Sequence, residues 1–147
     1  MRAYLYFLLC YFFLTRTIRS REGVLHFRRW RLLSLPWFRI YIHEIHERDL
    51  DAHRHNHPWN FASLILRGGY AERFQDGLGG VNWFRPWDWN VKEAAEYHQI
   101  EELFNGAPTI SLVFAWGRYR PWGYLTKVGF MEQEEYRTKK NAGTLPA

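Results

Sequence analysis

The sequence predicts a single all-β domain, a sandwich or barrel, on three observations. Short apolar runs recur along the chain and are broken by Gly and Pro turns. Aromatic residues make up 19% of the chain, with 8 Trp and 9 Tyr, and flat rings pack well on a pleated surface. No segment sustains a helical period. The 147 residues suffice to bury about two-thirds of the unfolded surface, so the fold needs neither disulfides nor a structural metal.

The elements follow in order. Residues 3–14 are apolar apart from tyrosine hydroxyls, but they are too few to cross a hydrocarbon core, which takes about 20 helical residues. No small-x-small cleavage site follows, since TRTIRSR is basic and β-branched. Residues 1–15 therefore read as an apolar extension, a buried or self-associating strand or helix. An interfacial anchor is the second reading and a cleaved signal the third. Weak membrane contact through residues 3–14 and a homodimer are both compatible with it. Cys10, the only cysteine, excludes an intrachain disulfide framework and a Cys-based zinc ribbon. It reads as a packed thiol, and a cytoplasmic location is expected.

Residues 16–130 carry the strand pattern. TRTIRS alternates, Glu22-Gly23 makes a turn, and VLHFRRWRLLSL returns as partner. After Pro36, FRIYIHEI places Ile40, Ile42 and Glu44 on one side and Tyr41, His43 and Ile45 on the other. ERDLD is an acidic turn. HRHNH is expected as a strand, ended by Pro58. FASLILRGGYAERF continues through Gly68-Gly69 as a bend or bulge. QDGLGG is a loop, VNWF a short strand, and RPWDWNVKEAA a turn region. EYHQIEEL and TISLVFAWGRYR form a hairpin about NGAP, and PWGYLTKVGF is a further extended piece. Residues 131–147 form a polar, frayed tail with at most one helical turn.

Charge is uneven. Residues 1–40 carry eight Arg against Glu22, and residues 41–147 carry twelve basic against fourteen acidic residues. The basic excess lies in the first forty residues, interleaved with core-like side chains and without a recognised nucleic-acid motif. Nucleic acid is not the expected partner; a small molecule is. There is no G-x-S-x-G elbow and no phosphate-cradling Gly-Lys-Ser/Thr loop.

Residues two apart on a strand share a face, so His53, His55 and His57 would line one side. Two neighbouring imidazoles can converge on one cation at about 2.0–2.1 Å from each nitrogen. Further ligands must come from elsewhere, and His98 is the only histidine far downstream.

HRHNHPWNFASLILRGGY resembles the first motif of the cupin superfamily, and RPWDWNVKEAAEYHQIE resembles the second. More narrowly, the His-x-His-Pro-Trp segment, HQIE and TISLVFAWGRYRPWGYLT are similar to small cupin-like proteins of bacteria and their phages. The resemblance spans roughly residues 16–130 and implies a double-stranded β-helix, a jelly-roll barrel. It implies His55, His57 and His98 as metal ligands. His53 falls just before the pair and is expected behind the site or at the barrel mouth, with Asn60 and Glu102 also behind the ligands. The usual cupin glutamate falls at Phe61, which leaves three histidines and waters unless Asn60, Glu44 or Glu102 substitutes.

The resemblance implies one divalent transition metal, Fe2+ first, with Zn2+, Ni2+, Mn2+ or Cu2+ also compatible with imidazole. A dioxygenase acting on a small organic acid or thiol is the leading expectation. A non-redox isomerase or lyase comes second, beside a non-catalytic metal- or ligand-binding module. Tyr97, Gln99 and Arg118 are expected to meet substrate, with Arg67 and Arg120 as further polar candidates near the mouth.

Overall fold

The computed structural model describes residues 14–20, 23–74 and 80–146. Its strands are β1 (Leu14–Arg19), β2 (Leu25–Ser34), β3 (Phe38–Ile45), β4 (Asn60–Arg67), β5 (Tyr70–Phe74), β6 (Val81–Phe84), β7 (Trp89–Lys92), β8 (His98–Leu103), β9 (Thr109–Trp116), β10 (Gly123–Thr126) and β11 (Gly129–Glu132). A helix α1 (Gln133–Asn141) follows. One sheet runs β1-β2-β3-β9-β4-β7, a second β6-β5-β8, and β10 pairs with β11. His55 bridges His98 on one side and Tyr124 on the other. The segment around His55 thus joins β8 to β10, and the smaller pieces become one sheet facing the larger. This is the two-sheet jelly-roll barrel that the resemblance implied.

Alternation sets the faces. On β3, β9 and β4, Tyr41, Val113, Ala115, Ser111, Thr109, Ser63 and Ile65 are buried between the sheets. Tyr41, Val113 and Ala115 form one core cluster against Trp59 and Phe61. Ile65, Tyr70 and Ile100 form another. The outward face of β9 is also apolar, which is why TISLVFAW reads as a nearly unbroken hydrophobic run. Among the described residues no helix is long and apolar enough to cross a membrane.

Several expectations change. Gly68-Gly69 is a corner rather than a bend in one strand, because β4 lies in the large sheet and β5 in the other. Gly69 takes φ 135°, and a Cβ there would sit 2.4 Å from the Phe84 carbonyl oxygen. EYHQIEEL and TISLVFAW are not a hairpin, since β8 pairs with β5 while β9 inserts between β3 and β4. WNVK, expected as turn, is strand β7 on the edge of β4. PWGYLTKVGF folds as the β10–β11 hairpin.

The polar tail is not frayed. It forms the nine-residue α1, with Glu134 and Glu135 in its first turn and Lys139 and Lys140 in its last, as the helix dipole favours. Tyr136 anchors it, 1% exposed and stacked on Tyr124 at 3.7 Å between centroids. The apolar run before Leu14, with Cys10, lies outside the described residues, as do Glu22 and residues 75–79.

Candidate metal centre

The histidine segment is not a strand. Residues 51–59 are irregular except for the bridge at His55, and that bridge aims the imidazoles. His55 N donates to the His98 carbonyl (3.0 Å) and His98 N donates back to the His55 carbonyl (2.9 Å). On the other side Leu125 N donates to the Arg54 carbonyl (2.9 Å) and Asn56 N to the Gly123 carbonyl (3.0 Å). The buried Asn56 side chain closes the ring by accepting from Gly123 N at 2.8 Å. His57 N then reaches the Ala94 carbonyl at 3.3 Å, and Ala94 N donates to Asn60 Oδ1 at 2.7 Å. Asn60 therefore fastens the segment beside His57 and is not free to ligate.

His55, His57 and His98 each offer one ring nitrogen, and these atoms all lie within 4.8 Å of one another. Ring centroids are 4.7 Å apart for His55 and His98, 4.8 Å for His57 and His98, and 5.1 Å for His55 and His57. The Nε2 atoms of His57 and His98 face each other at 2.5 Å. Burial, with the neighbouring imidazoles His98 and His55, holds His57 well below the usual histidine range. Burial also lowers His55, against the opposing pull of Asp49. Both rings are neutral at pH 7, the form that ligates metals.

Behind His98 stands a buried carboxylate that sequence reasoning missed. His98 Nδ1 donates to Glu72 Oε1, and Glu72 has no solvent exposure. Its other oxygen accepts from Lys92 Nζ at 3.0 Å and Asn90 Nδ2 at 3.0 Å. Asn90 also donates to the Tyr70 hydroxyl at 2.8 Å, and Lys92 Nζ lies 3.7 Å from the Phe74 ring centroid. Burial alone would raise Glu72, but His98 and Lys92 overcome it and hold the carboxyl below its ordinary value. With the proton kept on Nδ1, the Nε2 lone pair of His98 is free to face the other two rings. Asp49 plays a weaker version of this part at His55, its Oδ2 lying 3.9 Å from Nδ1.

The remaining candidates are dispersed. His53 turns away and meets the Tyr136 hydroxyl at 3.1 Å, because the irregular backbone removes the strand parity expected for HRHNH. Glu102 is exposed: the β5–β8 register shift between Ala71 and Glu72 flips the parity of β8 after Ile100. Glu44 pairs with Arg28 and His46 on the outer side. Phe61 stands 4.7 Å from the His57 ring, edge to face, and supplies no donor. Gln99 points away from His98 and donates to the Asp51 carbonyl at 2.6 Å. Arg67, Arg118 and Arg120 are exposed. Tyr97 lines a cleft of about 680 Å³ that includes Asn90 and Lys92 but none of the three imidazoles.

The donor set fits a transition-metal ion. It offers three imidazoles, two of them freed of charge by burial and one oriented by a carboxylate, and three protein ligands leave positions open for water or substrate. Of the missed residues, Glu72 and Lys92 carried one signal. Each is a charged residue at the inward parity of a short strand, in YAERF and WNVK.

No family model matches the sequence, and no curated protein matches it. Solved structures do. The polyketide cyclase RemF of Streptomyces resistomycificus aligns with a TM-score of 0.58 at 17% identity, over 82% of this chain and 84% of its own. Fe(II) HppE aligns with a TM-score of 0.55 at 11% identity, over 69% of this chain and 56% of its own. The DMSP lyase DddQ of Ruegeria pomeroyi aligns at 0.53 and 16% identity, over 69% of this chain and 52% of its own. The chain spans about half the length of the last two. At these identities the likeness shows the fold.

Proposed function

From a cupin-like barrel in which three imidazoles converge, we propose that this chain is a mononuclear metalloenzyme of the Fe(II) dioxygenase type acting on a small organic acid or thiol. His55, His57 and His98 would hold the ion. The observation that carries this reading is the meeting of their ring nitrogens within 4.8 Å, with Glu72 seated behind His98. Bound iron would supply a redox-active Lewis acid with positions open to substrate. Fe(II) HppE, which shares the fold, supports the choice of iron.

The chain's own residues do the rest. Glu72 keeps a proton at His98 Nδ1 and fixes the ring's orientation. Lys92 balances the Glu72 charge and holds the carboxylate in place behind His98. Phe61 shields one side of His57 from water, and Tyr124, its hydroxyl donating to Asp51 Oδ2 at 2.9 Å, ties the histidine segment to β10.

One observation favours a second reading. Phe61 at the position of the cupin glutamate leaves three imidazole donors and no carboxylate, a set that also suits zinc and non-redox chemistry such as a lyase or isomerase. The DMSP lyase DddQ shares the fold.

The test is anaerobic reconstitution of protein purified without a polyhistidine tag, elemental analysis, then oxygen uptake with a panel of small acids and thiols. About one ion per chain is expected, lost in His57→Ala, with substrate-dependent oxygen uptake. Turnover that persists under nitrogen would favour the second reading. Wild-type protein that takes up no divalent ion would end both.

A further inference from the structure

Four arginines share the inner wall made by β1, β2 and β3. In the β1–β2 register Arg16 lies opposite Arg29, and in the β2–β3 register Arg29 lies opposite His43, Arg31 opposite Tyr41 and Ser34 opposite Arg39. Directly opposed residues share a face. Tyr41 is a core residue, 5% exposed, so this face looks into the barrel. Arg29 confirms it by placing its guanidinium 4.8 Å from the Tyr41 ring centroid. Arg39 lies 4.9 Å from the Trp59 ring, while Arg16 and Arg31 are exposed at the rim.

These charges are not neutralised. Among the described residues no carboxylate pairs with Arg16, Arg29, Arg31 or Arg39. Arg28, one residue away on the opposite face, does pair, with Glu44. Two polar atoms of the wall are buried without any partner, Nη1 of Arg39 and Nε2 of His43. Burying such polar atoms without a partner is costly, and a ligand oxygen accepting from Arg39 Nη1 would remove part of that cost. Burial and then Arg29 and Arg16 push His43 down to about 3. It therefore faces a ligand as a neutral hydrogen-bonding group. Burial, with Arg16 and Arg31, also lowers Arg29 despite the attraction of Tyr41, so an arriving anion relieves crowding among like charges.

The wall leads to the histidines. Phe61 packs on the Tyr41 cluster and also stands against His57 at 4.7 Å. Among the described residues the carboxylate that His98 meets is Glu72, already held by Lys92 and Asn90.

We propose that the inner wall of β1–β3 is the docking site for the acidic group of an organic carboxylate. Arg29 and Arg39 are its donors on either side of Tyr41, and Arg16 and Arg31 attract it at the rim. The carboxylate meets a planar guanidinium, the apolar body lies along Tyr41 and Phe61, and the far end reaches the three imidazoles. The assignment moves the acid-binding role from the exposed Arg118 to residues inside the barrel. It deepens the proposed function and rests on it for what the ligand's far end meets, whereas the anion site stands on the arginines alone.

The test is calorimetric titration of the full chain with benzoate, and with benzyl alcohol as the uncharged analogue, in metal-free and metal-loaded protein. Benzoate is expected to bind at least tenfold more tightly than benzyl alcohol. Arg29→Gln should weaken it tenfold or more, Arg16→Gln severalfold, and Arg28→Gln on the outer face should leave it unchanged. If Arg29→Gln fails to fold, Arg16→Gln decides, because its side chain is exposed. Benzoate affinity equal in wild type and in the folded Arg29 variant, or in wild type and Arg16→Gln, overturns the proposal, as does equal affinity for the alcohol. Arg29-dependent benzoate binding by protein that takes up no metal supports this site and overturns the metalloenzyme reading.

Discussion

Replacing Glu72 by Gln removes one charge from a carboxylate with no solvent exposure that receives His98 Nδ1, Lys92 Nζ and Asn90 Nδ2. The shape is kept and Lys92, itself 3% exposed, is left without a counter-charge. At an effective dielectric constant of about 20, a pair 3.0 Å apart attracts by roughly 5 kcal/mol. Measured losses on breaking one side of a buried pair run about 3–5 kcal/mol. The two routes agree, so Glu72→Gln should lose about 3–5 kcal/mol in urea unfolding, a large share of the about 5–15 kcal/mol typical of a domain. Adding Lys92→Met should restore at least about half of that loss, because the second change removes the orphaned ammonium. With the orienting carboxylate gone from His98, metal affinity should fall about 10–100-fold in chelator competition. A loss under about 1 kcal/mol, with metal affinity unchanged, would refute the reasoning.

Acid should destabilise the protein well before carboxylates titrate. His43 is held at about 3 against an ordinary 6.5, and His55 and His57 are lowered too. The unfolded chain therefore binds more protons across that window. Stability is complete above about pH 6.5 and falls as pH drops toward about 3, with His43 alone contributing up to about 5 kcal/mol. Glu72, lowered from 4.5, adds to the loss below that pH. Urea midpoints between pH 8 and 4 would show the slope, and His43→Gln should flatten it by about one proton. Gly69→Ala should cost more than about 2 kcal/mol, since φ is 135° and the new methyl meets the Phe84 carbonyl at 2.4 Å; an unchanged melting temperature would count against the corner. Tyr136→Ala should cost about 3–5 kcal/mol and leave α1 undocked, which far-UV circular dichroism and protease sensitivity after β11 would both detect.

Much of the fold was legible because strand alternation has a fixed period. FRIYIHEI divides between the two faces as read, with Tyr41 inward and Glu44 outward. Pairing partners were not legible. β9 sits between β3 and β4, far from it in sequence, and nothing local in TISLVFAW encodes that choice. The helix was missed because one apolar residue, Tyr136, makes no period; its anchor is a tertiary stack on Tyr124. At the site, spacing pointed to paired histidines and a distant third, and the cupin resemblance chose His55, His57 and His98; the strand geometry assumed for them was wrong. The segment is no strand, and His53 points to α1. Glu72 escaped because a charge on a strand reads as an outer-face residue until its partner across the barrel is known, and Asn90 and Lys92 because WNVK read as a turn. The inner arginines escaped for the same reason as Glu72.

The junction centred on His55 couples occupancy to the continuity of the smaller sheet. An occupant that clamps that ring also clamps the amides that stitch β8 to β10, and at a hundredfold excess over its dissociation constant it adds about 2.7 kcal/mol to the closed form. Deuterium uptake at positions 55, 98 and 125 should slow by about a hundredfold, while the amides between β2 and β3 keep their own rate. The barrel then behaves as a zip with its slider at the histidine cluster: an occupant there tightens a seam that the backbone of residues 54–56 already holds.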